Sequence, residues 1–216
     1  MEYLSDDERV EELKKWWKEN GKSILLGVAL GLAILYGWRW WVDYKNNQSI
    51  QASVLFMQAE QSLREKKPEE LKAVTDRIMK DFDGTPYAVD SALLIAKENI
   101  ENGKLDEAKT HLQWAYDHAK TADMKQLSRI RLARVLHSLG EDDAAMKLIS
   151  AADAGSFLAA FEELKGDIYH KQGKDDLARE AYLKAKAASG DAVQGNPTLL
   201  LKLDDVAVAE SDPGAK

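Results

Sequence analysis

Three glycines punctuate the second half of this chain at a helical-repeat spacing. Gly103, Gly140 and Gly173 are each followed five residues later by an alanine (Ala108, Ala145, Ala178) and seven residues after that by another (Ala115, Ala152, Ala185). Seven residues before each glycine stands a further small residue, Ala96, Ala133 and Gly166. Self-similarity at intervals of 37 and then 33 residues points to stacked supersecondary units. Ala, Leu, Glu, Lys and Gln dominate around these positions, the whole chain holds only 4 prolines, and no alternating Val, Ile or Thr run marks a strand. The predicted unit is therefore a helical hairpin. Its glycine closes the first helix in a left-handed conformation that is cheap only without a Cβ, and a short charged turn follows at Lys104, at Glu141 and Asp142, and at Lys174 and Asp175. The small residues mark where helices cross closely. Leu93, Ile95, Leu112, Ile130, Leu132, Leu136, Ile149, Phe161, Leu164, Tyr169 and Tyr182 are expected to fill the remaining inward positions. One hairpin cannot bury both of its faces, but a stack of them can, so the expected fold is an all-α solenoid.

This order of small residue, tyrosine, glycine, alanine and alanine resembles the tetratricopeptide repeat. Gly166, Tyr169, Gly173, Ala178 and Ala185 match it best, while the other two units carry Asn99 and Leu136 at the tyrosine position and lack the terminal proline. Upstream, residues 49–66 and 69–82 read as an earlier hairpin, broken at Pro68 and without the glycine. Downstream, the last repeat helix stops at Ser189 and Gly190, residues 197–207 read as a closing amphipathic helix, and residues 208–216 as a flexible tail.

The N-terminal part obeys different physics. Residues 23–41, SILLGVALGLAILYGWRWW, carry one charge, Arg39, and at about 1.5 Å per residue nearly cross a hydrocarbon core of about 30 Å. The run opens at Ser23 and ends in Trp38, Arg39, Trp40 and Trp41, where a cleavable signal peptide would end in a small-x-small site. A retained single transmembrane helix is the expectation. Tyr36 and the three tryptophans suit headgroup depth, Arg39 can snorkel outward, and Gly27 with Gly31 forms a GxxxG pair that admits a second helix. The sequence leaves open whether that helix is another copy. Arg9, Lys14, Lys15, Lys18 and Lys22 precede the run and only Arg39 and Lys45 follow closely, so residues 1–22 are expected in the cytoplasm and residues 49–207 outside, joined through a linker at 42–48. Within the cytoplasmic segment, Ser5 to Glu8 reads as a capping box, Val10, Leu13, Trp16 and Trp17 as an apolar stripe, and Asn20-Gly21 as a helix stop.

Chemistry is harder to find. A net charge of -7 argues against nucleic acid as a partner, and the absence of cysteine removes disulfides, thiolate metal sites and cysteine nucleophiles. His111, His118, His137 and His170 do not form a metal-ligand spacing, and no GxSxG, P-loop, GxGxxG or HExxH occurs. No catalytic, cofactor or metal residues are assigned, and no enzyme is expected. The acidic pairs Asp142-Asp143 and Asp175-Asp176 are read as turn and helix-start residues. Stacked hairpins usually work through their concave face, which means protein or peptide binding. Asn99, Arg131, Arg134 and Tyr169, on the first helix of each unit, are the candidate partner-binding residues, their facing inferred from periodicity.

From end to end the chain also resembles the YfgM family. The segments that carry the resemblance are Glu19-Asn20-Gly21-Lys22, the exit from Gly37 through Trp41, Arg131 to Arg134 and the closing LKLDDVA. The resemblance implies an ancillary subunit of the Sec translocon in the inner membrane of a Gram-negative bacterium. It implies protein partners, namely SecYEG, the anchored periplasmic chaperone PpiD and unfolded client polypeptides. It also implies an alternative role, as a tether whose cytoplasmic segment binds an envelope-stress signalling protein.

Overall fold

A computed structural model describes residues 6–150, 154–190 and 196–211. The capping box at Ser5 to Glu8, the repeat position Ala152 and most of the expected tail lie outside the described residues or their described side chains. Nine α-helices make up the described architecture, with no strand among the described residues: α1 (Asp6–Arg64), α2 (Pro68–Asp81), α3 (Pro86–Glu101), α4 (Leu105–His118), α5 (Ala122–Ser138), α6 (Asp142–Ile149), α7 (Leu158–Lys171), α8 (Asp175–Ser189) and α9 (Pro197–Ser211). The chain divides into two units, Met1–Ile50 and Gln51–Lys216.

The first unit is helical throughout its described residues. By length and composition, α1 is long and apolar enough to cross a membrane. Its apolar side chains, Leu25, Leu26, Ile34 and Leu35 among them, are not covered by the described residues. Around the aromatic exit, Trp38 and Trp41 lie 5.5 Å apart, Trp40 stacks on Tyr44 at 5.9 Å, and the Lys45 ammonium stands 5.9 Å over Trp41. Asn20 and Gly21 do not stop the helix: the Asn20 amide donates to the Trp16 carbonyl at 3.0 Å and α1 continues. Positions 42–48, read from the sequence as a linker, are helical as well.

In the second unit each helix packs on the next in chain order, from α2 through α9, as in a solenoid. The hairpin turns share one geometry. In the first predicted unit the Gly103 N–H donates to the Ile100 carbonyl and the Lys104 N–H to that of Asn99, and Gly103 has φ +72°. Gly140 and Glu141, and Gly173 and Lys174, repeat the two bonds, so all three hairpins end their first helix in a Schellman motif. A fourth turn obeys the same rule without glycine. Lys66 at φ 55° donates to the Leu63 carbonyl and Lys67 to that of Ser62. Counting from Lys66 as from the glycines, Ala59, Leu71 and Ile78 take the three small-residue positions, and all are fully buried. The upstream hairpin read from the sequence is therefore a unit in register, 37 residues before Gly103, its register masked by a lysine at the turn and by Leu and Ile in place of two alanines.

Burial follows the expected pattern. Ala96, Ala108, Ala115, Ala133, Ala145, Ala178 and Ala185 are fully buried. One core runs from Val89 in α3 to Ile168 in α7, and a second joins Ala52 and Ala59 of α1 to α2 and α3. A third sets Ala178, Tyr182 and Ala185 of α8 against Leu199 and Val206 of α9, so α9 covers the α8 face. Gly166 is the one repeat position that cannot carry a Cβ, because the Tyr182 ring fills that space.

Candidate functional site

Only two of the four candidate residues come together. Arg131 and Arg134 lie one turn apart on α5 and line a groove of about 380 Å³. Its other walls are Leu93, Lys97, Ile100 and Glu101 of α3, Leu105 and Leu112 of α4, and Val135 and Ser138 of α5. Asn99 instead points inward: it is buried, and its side-chain amide meets His111 Nδ1 at 3.3 Å. Tyr169 is half-buried against the α8–α9 cluster.

The groove is open for a reason visible in the turns. Three residues before and two after each turn residue, the units place a pair of side chains side by side. In the last two units these are His137 with Asp142 at 2.6 Å and His170 with Asp175 at 2.7 Å, so these acids, in the first turns of α6 and α8 as the sequence suggests, also engage the histidines. The equivalent positions in the α3–α4 unit are Ile100 and Leu105, both groove residues. Between α5–α6 and α7 the gap is closed by Lys171, whose ammonium reaches Asp142 at 3.2 Å and the His137 carbonyl at 3.3 Å. One unit earlier the residue in the place of Lys171 is Ser138, too short to reach across. The first interface keeps an apolar floor; the second is filled by an ionic contact. Burial pushes the Asp142 carboxyl up, but hydrogen bonds from His137 and Lys171 outweigh it and hold the group below its ordinary value.

Lys97, Ile100, Leu105, Val135 and Ser138 were not among the sequence candidates. The signal for them was the spacing Leu93, Lys97, Ile100 on α3, which places one turn-to-turn stripe beside Asn99 rather than through it. Neither the Arg131 nor the Arg134 guanidinium has a partner among the described residues. The one carboxylate on the rim, Glu101, lies 3.7 Å from the Lys97 ammonium. Among the described residues no group of His, Asp or Glu is gathered to hold a metal ion. The histidines are engaged locally: His111 with the Glu107 carbonyl at 2.8 Å, and His118 stacked on Trp114 at 3.9 Å. What this surface offers is an apolar floor with cationic rim groups.

Comparison with known proteins agrees with this architecture. The chain is 28% identical over 180 residues to the ancillary SecYEG translocon subunit of Escherichia coli (strain K12), covering 83% of this chain and 86% of that one. To the protein of the same name in Haemophilus influenzae it is 27% identical over 191 residues, 88% of this chain and 93% of the other. To that of Neisseria gonorrhoeae it is 24% identical over 208 residues, 94% and 98% of the two chains. The resemblance to the YfgM family is borne out by these relatives. A profile of the tetratricopeptide repeat-like domain matches residues 14–208, from within α1 to within α9. Given a match over most of its length and four hairpins in register, the chain belongs to the tetratricopeptide repeat-like domain family.

Proposed function

We propose that this chain is a membrane-anchored, non-catalytic binding module that works beside the Sec translocon and captures protein partners on the α3–α5 groove. The observation that carries the reading is the near-full coverage of relatives named as ancillary SecYEG translocon subunits, 88% and 94% of this chain in two of them. Residues 23–41 are the span in the inner membrane. The lysines and the arginine before it favour a cytoplasmic residues 1–22, so residues 42–48 lead to a periplasmic domain over 49–207 and residues 208–216 form its tail. On the periplasmic side the partners are translocon subunits and the anchored chaperone PpiD, with emerging polypeptides as transient clients passed on to periplasmic chaperones. A groove with an apolar floor and two guanidiniums that no described residue pairs suits such capture.

The experiment is purification of the full-length protein in mild detergent with mass spectrometry of whatever accompanies it, beside a version carrying an unrelated span. Translocon subunits and PpiD with the native form are the expected result, and their loss with the foreign span would put part of the contact in the membrane. Recovery of a cytoplasmic regulator with neither of them would replace this reading with that of a tether. Arg131→Ala with Arg134→Ala is expected to weaken partner capture while the domain melts as before.

A further inference from the structure

We infer that the groove between α3, α4 and α5 recognises a polypeptide segment in which a large apolar side chain is flanked by carboxylates. The inference rests on the proposed binding role and adds the chemistry of what is bound. Leu93, Leu112 and Val135 form a floor already buried within the core, and Ile100, exposed at 41%, and Leu105 stand at the edge where a ligand side chain would complete their burial. An apolar side chain entering there loses water from both surfaces, the general source of affinity at such sites.

The rim selects the flanks. Arg131 and Arg134 are forks that bond carboxylates through paired N–H groups, and no acidic side chain among the described residues satisfies them. Glu101 is offset by Lys97, so the local surplus is positive in a chain whose net charge is -7. Long-range attraction therefore does not bring acidic segments to this protein; recognition has to be local, at the two arginines, where close contact survives salt screening. The neighbouring interface shows what the groove would be if it were only structural. There Lys171, His137 and Asp142 fill the equivalent space with their own charges, whereas Ser138, Ile100 and Leu105 leave this one unfilled.

The test uses the full-length protein in detergent and three fluorescein-labelled, terminally capped peptides, alternating Asp and Leu, Lys and Leu, or Asp and Ser. The Asp–Leu peptide is expected to bind at least about tenfold tighter than either of the others. Arg131→Glu with Arg134→Glu should reverse the order of the Asp–Leu and Lys–Leu peptides, a gain that a misfolded variant could not produce. Ser138→Trp, which fills the groove from an exposed position, should abolish binding of the Asp–Leu peptide with the helical circular dichroism retained. Equal binding of all three peptides, Asp–Ser bound as tightly as Asp–Leu, or an order unchanged by charge reversal would each overturn the inference. The two readings fail separately. Translocon capture that is untouched by the charge reversal leaves the translocon-associated role standing and removes the groove as its capture site, while selective peptide binding without translocon capture keeps the groove and removes that role.

Discussion

The ring of Tyr182 on α8 occupies the space that a Cβ on Gly166 of α7 would need. In the two preceding units the same pair of positions holds Ala96 with Leu112 and Ala133 with Ile149, so the larger ring is matched by the loss of one methyl group. The tyrosine hydroxyl then donates to Asp167 at 2.9 Å. Gly166→Ala is expected to cost about 2–3 kcal/mol by overpacking. Gly166→Ala with Tyr182→Leu, which copies the Ala96–Leu112 pair, should recover much of that loss. Denaturant melts of the four members of the cycle measure the coupling; purely additive effects would contradict the packing account.

Lys66 holds the left-handed turn that glycine holds three times further along. A Cβ in that conformation costs on the order of 1 kcal/mol, so Lys66→Gly is expected to stabilise the domain by about 0.5–1 kcal/mol. Gly140→Ala, at φ +80°, should destabilise it by a similar amount. Thermal unfolding of both variants against the parent checks the sign, which is opposite at the two turns.

Acid should weaken the α5–α7 interface through Asp142. Its folded-state carboxyl is held below the ordinary value by His137 and Lys171. A depressed acid contributes stability that is present above the unfolded pKa, near 4, and is lost as pH falls through the lower folded value. Asp142→Asn should therefore lose about 1 kcal/mol at neutral pH and flatten the decline in stability below pH about 4. Melts over pH 2–7 distinguish this from a pH-independent loss.

The closing helix is clasped to α7 by a lysine. Lys202 reaches Glu163 and Asp167 at 2.8 Å each, and Asn196 adds a bond to Glu163 at 3.1 Å while its carbonyl oxygen accepts from the Leu199 N–H at the helix start. Burial alone would lower the Lys202 pKa, but the two carboxylates outweigh it and raise it. Lys202→Met leaves two carboxylates facing each other, and a loss of about 1–2 kcal/mol is expected, with earlier hydrogen exchange in α9 than in α5. Adding Glu163→Gln and Asp167→Asn should restore part of it. Since a raised lysine gives stability present below its unfolded pKa and lost as pH rises through the folded one, the parent should also loosen here only at strongly alkaline pH.

Period and residue size alone determined the helical hairpins, their turns at Gly103, Gly140 and Gly173, and the apolar length of the N-terminal helix, because these depend on local backbone preference and on side-chain volume at fixed spacing. The first hairpin was legible too, but not its register, because Lys66, Leu71 and Ile78 replace the expected small residues and only the backbone geometry aligns it with the other units. Tertiary structure alone decided which polar residues meet. Helical spacing placed Asn99 of α3 with Arg131 and Arg134 of α5, yet spacing within one helix does not fix which of its sides the neighbouring helices cover, and packing sent Asn99 to His111 inside while leaving the arginines at the groove. Whether a gap between units is open or closed depends on the reach of one side chain across it. Lys171 spans that distance and Ser138 does not, a difference that has no meaning until two units separated in sequence are stacked.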